Sequence, residues 1–416
     1  MHIQLLLLML IVGALSVVIV QMFWGLRADV QPKEAQLISG EDYYKDPFNR
    51  RLLVILTSQA SGSQRIVHIF NNDQSVFQVI EPLDSVFVTL YGTQMGWNSP
   101  ADIYNHQNGS ARSVTSQELY SMSEIANSLL TCNMEVLPSE NLFHRFWWQF
   151  QNEQSASAEY IGCAGDPSIL TNCLTPLANL CGQRFVDSET SRNCLWNLFL
   201  TFRADDATRA QNPLPVTEKV VLDEYANCLT KARKNLIDLK CISKLEHSCL
   251  ASKTVVLKVA RGGMDFARQL LSMNPNVKFV YFLRNPLTSV GEILKTEDSS
   301  MKGVFSNGNA SSEALVHCRR MATELKAMKI LQESHPHSFL QVTYEKLLTD
   351  PAEQTRRLYD FLHLDIPSIT RVWLSDPKLS VSPQKWDAFF SLEDAKTVME
   401  QCKEVIDLAD VTEWHS

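Results

Sequence analysis

The sequence has no surplus of positive charge: 38 Lys and Arg stand against 46 Asp and Glu, a formal charge of −8 over 416 residues. A surface that attracts nucleic acid or other polyanions as a whole is thereby excluded, and any anion-binding site has to be local. Glycine and proline are not in excess, at 15 and 16. No repeat period is visible either, which excludes collagen-like, low-complexity and solenoid chains. No two cysteines have C-x-x-C spacing, so a zinc or thioredoxin-type motif is absent. No two aspartates lie two residues apart, so the chain lacks the Asp-x-Asp with which a metal-dependent glycosyltransferase holds Mn2+ and a nucleotide diphosphate. What is present is a chain that is 45% hydrophobic and long enough for one large domain or two ordinary ones.

The apolar residues are unevenly spread. Leu5 to Val20 carries no charge, and Met22, Phe23 and Trp24 extend the run past Gln21. About 20 residues at about 1.5 Å each give about 30 Å, the thickness of a hydrocarbon core, so residues 5–24 read as a single transmembrane signal anchor behind a cytosolic tip at 1–4. A cleaved signal peptide fits less well, because its apolar region is usually about 7–15 residues long and follows a Lys or Arg. Arg27 and Lys33, the nearest cations, lie after the span, and the positive-inside rule would put that side in the cytosol. The cysteines argue the other way. Eight of the ten fall between Cys132 and Cys249, a clustering that a secretory lumen would oxidise to disulfides. The sequons at Asn108 and Asn309 agree with a lumenal C-terminal part and a type II arrangement. Residues 25–50 are polar, lack apolar periodicity and read as a stem leading into a lumenal domain at 51–416.

That domain opens on Arg51 to Thr57, an apolar run of buried-strand type, followed by a small-residue loop at 58–63 and a helical stretch from Gln64 to Asn71. Strand, small-residue loop and helix make a phosphate-binding arrangement, with Ser61, Gly62 and Ser63 turned toward an anion at a helix N-terminus. A plain βα turn with serine as N-cap is the other reading. It is not a Walker A loop, for no Gly-Lys-Ser/Thr follows. Further strands are expected at Val76 to Ile80, Thr254 to Ala260, Val277 to Leu283 and Phe339 to Thr343. Helices are expected at Met264 to Met273, Pro286 to Lys295, Ala314 to Gln332 and Ala352 to Leu362. This alternation predicts an α/β fold with a wound parallel sheet flanked by helices, and ligands of such sheets bind past the carboxyl ends of the strands. Glu81, Arg261, Arg284 and Tyr344-Glu-Lys346 fall there.

Six blocks carry a resemblance: Ser-Gly-Ser at 61–63, Val-Ile-Glu-Pro-Leu at 79–83, Leu-Lys-Val-Ala-Arg at 257–261, Val-Tyr-Phe-Leu-Arg-Asn-Pro at 280–286, Tyr-Glu-Lys-Leu-Leu-Thr-Asp-Pro at 344–351 and Arg-Arg-Leu-Tyr-Asp-Phe-Leu at 356–362. In order and spacing they resemble the Golgi carbohydrate sulfotransferases that act on the 6-hydroxyl of galactose, N-acetylgalactosamine or N-acetylglucosamine. The resemblance implies a P-loop-kinase-like sheet with a Cys-rich insertion at about 92–252, on a type II Golgi membrane enzyme. It implies 3′-phosphoadenosine 5′-phosphosulfate as co-substrate, a glycan acceptor and no metal. Ser61, Gly62 and Ser63 would then cradle the 5′-phosphosulfate, Arg284 would hold the 3′-phosphate, and Glu81 would take the acceptor's proton. Glu81 has a second reading, as a strand-end carboxylate capping amides ahead of Pro82, and Lys258 is equally readable as a surface residue or as half of a buried pair.

Two positions depart from that pattern. Ala60 stands where the family has a basic residue before Ser-Gly-Ser, so a cation for the leaving phosphate is missing there. Arg65 could reach back, although a solvent-facing helix residue is the simpler reading, and Arg261 could add positive potential. Glu292 stands where the family usually has a serine for the 3′-phosphate, with Ser289 three residues earlier on the same helix face as a replacement. Loss of one preorganised charge costs on the order of 10²–10³ in rate, so a homologue that binds glycan or nucleotide without transfer is carried beside the enzyme. The insertion is expected to recognise the acceptor, the aromatic run at 143–150 to pack as core, His335-Pro-His337 to form a turn, and residues 303–312 to form an exposed loop. Acceptor identity, disulfide pairing and oligomeric state are not legible in the sequence.

Overall fold

The computed structural model describes residues 50–84, 114–143, 147, 157–184, 216–300 and 310–414, apart from positions 59, 72, 74, 167, 261, 377, 378, 384, 385, 412 and 413. The expected membrane span, almost all of the stem, both sequons and Arg261 lie outside these residues. Among those described, no helix is long and apolar enough to cross a membrane.

Five strands, β1 (Arg51–Thr57), β2 (Val76–Ile80), β3 (Thr254–Val259), β4 (Val277–Leu283) and β5 (Phe339–Thr343), form one parallel sheet in the order β2-β3-β1-β4-β5. All five expected strands are present, with β3 ending one residue early. Their largely apolar runs, each of β2 to β5 broken inside by one Lys or Gln, follow from burial on both faces, as parallel sheets require. Leu52, Val54 and Leu56 face one side with Leu257, Val259 and Phe279. Leu53 and Ile55 face the other with Val256, Val280 and Phe282. The chain passes from β1 over β3 to β2, returns to β3, then crosses to β4, so the strand order reverses about the central β1. Sheets of this kind open a crevice there, at the carboxyl end.

Helix α1 (Gln64–His68) follows β1 and is shorter than expected. The segment between β2 and β3 contributes α2 (Ser116–Leu130), α3 (Ile169–Arg184), α4 (Val216–Asp238) and α5 (Cys241–Leu250). Helix α2 starts on a capping box: the Glu118 amide donates to Thr115 Oγ1 at 3.2 Å, and the Thr115 amide donates to Glu118 Oε2 at 2.8 Å. The insertion is no separate body. Met122, Ile125 and Leu129 of α2 and Leu222, Tyr225 and Leu229 of α4 are buried in the same core as one face of the sheet. Phe143 and Trp147 of the aromatic run are also in that core, as expected.

After β3 the chain includes helices α6 (Met264–Met273), α7 (Pro286–Ser300), α8 (Ala310–Ser334), α9 (Tyr344–Thr349), α10 (Pro351–Leu362) and α11 (Leu392–Ala409). Helices α7 and α8 run further than the apolar spacing predicts, and His335 to His337 turns into β5. Eight cysteines pair among the described residues: Cys132–Cys249, Cys163–Cys241, Cys173–Cys228 and Cys318–Cys402. The first three staple the insertion, and the last joins α8 to α11. Arg50 donates to the Leu250 and Ser252 carbonyls at 3.2 Å each, next to the Cys132–Cys249 bridge, and so fixes the entry of β1.

The Cys132–Cys249 bond closes a segment of 117 residues. For a loop of that length chain entropy gives a contribution of about 5 kcal/mol. A Cys132→Ala/Cys249→Ala variant is expected to lose about that much unfolding free energy in urea denaturation, and an unchanged midpoint would show that the bridge constrains nothing.

Candidate functional site

The turn after β1 bends twice through left-handed backbone, at Ala60 (φ +54°) and Gly62 (φ +70°). Gly62 is required for space as well as for its φ, because a Cβ there would run into the Tyr344 ring. Ser63 precedes α1, but its hydroxyl caps no amide of the helix, so the N-cap reading of this serine does not hold.

Arg284 extends from the end of β4 and is only 6% exposed. Its Nη1 donates to the Ala60 carbonyl at 2.9 Å, its Nη2 lies 3.8 Å from Glu292, and the guanidinium sits 4.6 Å from the centre of the Tyr344 ring. The two sequence departures are thus both contacts of Arg284. Ala60 contributes its carbonyl instead of a side-chain cation, and Glu292 supplies a counter-charge.

Four buried polar atoms near this turn have no hydrogen-bond partner: Thr57 Oγ1, Ser58 Oγ, Ser61 Oγ and Arg284 Nε. A buried donor left unpaired costs about 1–3 kcal/mol. Three hydroxyls and a guanidinium N–H at the ends of the adjacent strands β1 and β4 are the donor set that a phosphate or sulfate oxygen accepts from. On this observation the residues fit an anionic nucleotide.

The neighbouring strand ends hold a second charged group. Glu81 follows β2 at φ +50°, held there by backbone bonds from its amide to the Lys258 carbonyl (2.7 Å) and from the Asp84 amide to its own carbonyl (2.9 Å). One carboxylate oxygen of Glu81 is paired with the Lys258 ammonium, and the other accepts the Ala260 amide at 3.1 Å. Both side chains are buried, at 6% and 7% exposure. Of the two readings of Lys258, the buried pair is the one observed, and the amide that Glu81 accepts is that of Ala260, past the neighbouring strand and not a local one. Lys258 interrupts the otherwise apolar run of β3, and a charge within a buried strand is the sequence signal that marks it.

Ser289, on α7, is buried. Its hydroxyl donates to the Pro286 carbonyl at 3.1 Å and lies 3.0 Å from His317 Nε2, and burial lowers the His317 pKa to about 4. Arg65 does not reach back to the turn: its guanidinium bonds to the Leu379 carbonyl. Tyr344 and Glu345, which the sequence placed at the rim without assigning them a role, supply the ring beside Arg284 and the Oε1 that accepts the Asn285 amide at 2.9 Å. A cavity of about 340 Å3 lies beyond β5, where Lys329, Lys346, Arg357 and Asp410 are among its lining residues, and it contains none of the unpartnered donors. Among the described residues no group of metal-ligating side chains occurs.

Replacement of Lys258 by Met leaves the Glu81 charge buried without its partner and is expected to destabilise the protein by about 3–5 kcal/mol, while Lys258→Met/Glu81→Gln recovers part of the loss in the same melts. His317 has a folded pKa of about 4 against an ordinary 6.5. The unfolded chain therefore binds more protons between these values, and stability is lost as pH falls from 6.5 toward 4. His317→Asn is expected to flatten that limb of a stability–pH curve, and an unaltered limb would mean that other groups produce it.

Residues 203–368 match the family described as Sulfotransferase family. The match takes in β3 to β5 with Lys258, Arg284, Ser289 and Tyr344, and begins after the serine-glycine turn and Glu81. No curated protein matches the chain. Among solved structures, the sulfotransferase STF9 from Mycobacterium avium aligns at 14% identity with a TM-score of 0.37, covering 89% of this chain and 79% of that one. The sulfotransferase domain of the Synechococcus PCC 7002 olefin synthase aligns at 13% identity and 0.30, covering 86% and 93%. The stretch that is similar to the sulfotransferase family, residues 203–368, thus includes β4 and Arg284 on one side of the rim, while the serine-glycine turn and Glu81 lie before it.

Proposed function

We propose that the protein is a sulfotransferase that moves a sulfuryl group from 3′-phosphoadenosine 5′-phosphosulfate to a hydroxyl of a glycan, as a type II membrane protein with its domain in the Golgi lumen. The observation that carries the reading is the set of buried donors without partners at the ends of β1 and β4, in a chain with a sulfotransferase-family domain. The fit is to the donor. The glycan acceptor and the compartment rest on the resemblance of the sequence blocks, the four disulfides and the apolar run at 5–24.

The co-substrate supplies an activated sulfuryl group on a phosphate leaving group. Ser58, Ser61 and the turn through Gly62 hold the phosphosulfate oxygens, and Arg284 takes the second phosphate, its Nε and Nη groups offering paired donors in a fixed plane. Glu81 accepts the proton of the attacking hydroxyl as the new O–S bond forms and the S–O bond to phosphate breaks. Lys258 stands beside it and provides the positive charge that Ala60 cannot. Arg65 takes no part. Ser289 takes no part either, because its one proton is given to the Pro286 carbonyl and its oxygen lies beside His317.

A second reading is favoured by Ala60, which offers only a carbonyl: a homologue that binds donor or glycan without transfer. Incubation of the purified protein with radiolabelled sulfate donor and a panel of glycans separates the two. Label transfer is expected from wild type, with Glu81→Gln slower by on the order of 10²–10⁴ and Arg284→Ala impaired in donor binding. Donor binding without transfer to any glycan would establish the second reading, and absence of donor binding by a folded protein would sink both.

A further inference from the structure

Behind Arg284 lies a layer that touches none of the unpartnered donors. Asn285, the next residue, donates its amide to Glu345 Oε1 at 2.9 Å, and its own Oδ1 accepts the Leu287 amide at 2.9 Å, opening α7. The other oxygen of Glu345 accepts the indole N–H of Trp414 at 3.3 Å. Trp414 comes from the segment after α11, is 1% exposed and is the largest of the fully buried side chains. One carboxylate therefore joins three separate parts of the chain: the backbone just past Arg284, the first turn of α9 beside Tyr344, and the segment after α11.

An apolar side chain at position 345 would fill space without the cost of removing a carboxylate from water. Burial does push the Glu345 carboxyl above its ordinary pKa, opposed by the Asn285 and Trp414 bonds and by the Arg284 charge. What the carboxylate provides in return is direction. Its two oxygens fix the 284–285 backbone relative to Tyr344, the ring on which the Arg284 guanidinium rests. An Arg that must present Nε to an anion while its Nη1 stays on the Ala60 carbonyl has little angular freedom, and displacement of a binding group by about 1 Å can cost on the order of 10² in rate.

We propose that Trp414 and Glu345 are positioning residues that set the aim of Arg284, so that donor affinity depends on an indole N–H remote from the donor itself. The inference rests on the reading of Arg284 as a donor ligand.

The test is titration of the full chain with adenosine 3′,5′-bisphosphate, for wild type, Trp414→Phe, Glu345→Gln and the double variant, with melting temperature recorded for each. Trp414→Phe keeps an aromatic ring in the core and removes the N–H together with part of the indole volume, which is why melting temperature is recorded beside affinity. Loss of one hydrogen bond that fixes the site is expected to weaken nucleotide binding about five- to tenfold. Donor KM should rise by the same factor with acceptor KM unchanged, and the double variant should lose less than the sum of the singles because both act through one bond. Glu345→Gln, which preserves volume, carries the test if Trp414→Phe does not fold. Wild-type nucleotide affinity in both single variants, whatever their melting temperature, would overturn the proposal and leave Trp414 as packing alone. A wild-type protein that binds no nucleotide would instead bring down the donor reading first, and the positioning role with it.

Discussion

A guanidinium shut away from water at the end of β4 is the constraint around which the carboxyl rim is arranged. An ion of that size costs several kcal/mol to bury even after the surroundings relax, and four groups on three elements share in offsetting the cost. The turn after β1 contributes a carbonyl, α7 a carboxylate, the start of α9 an aromatic face, and Glu345 a second nearby negative charge. These contacts leave Nε without an acceptor. The compensation is therefore incomplete at one nitrogen, which belongs to a cation already oriented and largely desolvated. Glu292, which as a sequence feature reads only as repulsion, lies on the far side of that balance. It neutralises Arg284 in the absence of a ligand, and its 3.8 Å separation from Nη2 leaves a weak contact that an incoming phosphate can share.

The Lys258–Glu81 pair applies the same logic one strand further along. Strand β3 is buried over its whole length, so a lysine within it needs a partner, and the reach of β2 past its last ladder residue supplies one. The left-handed backbone at Glu81 aims the carboxylate back along the sheet edge and is an unusual conformation for a residue with a Cβ. Two adjacent strands thus end in a fixed acid and base, beside two that end in donors without acceptors.

Much of this was legible in the chain. Every strand was, because burial on both faces writes a largely apolar run into the sequence, and with the strands came the rim on which Glu81 and Arg284 lie. The partnerships across the rim were not. Glu81 and Lys258 are 177 residues apart, and nothing local to either names the other, so one read as a free base and the other as an ambiguous cation. Ala60 read only as an absence, since a side-chain pattern says nothing of what a backbone carbonyl will contact. Gly62 was legible as a loop residue, but its need to be glycine comes from the Tyr344 ring, which arrives from β5. Arg65 was misread because its partner, the Leu379 carbonyl, belongs to an irregular segment whose path has no periodicity to follow. The insertion was legible only as the longest stretch without the alternation of strand and helix, and its place against the sheet was not. Its helices share the core with one face of the sheet, as amphipathic stripes do wherever an uncovered sheet face is available.

The insertion also bears on how the chain is made. Strand β1 lies at the centre of the sheet, yet its partner residues begin at Thr254 in β3 and Val277 in β4, some two hundred positions later. At ribosomal speeds of about 5–20 residues per second, the innermost strand spends roughly 10–40 s in a growing chain with neither neighbour synthesised. Both its edges are bare during that interval, and its side chains are those of an aggregation-prone segment. Only β2 is made promptly, and β2 never touches β1, because β3 must come between them. The sheet is therefore closed by its latest-made strands, and the helices and cross-links of the insertion have that long pause in which to take shape before the surface they cover exists.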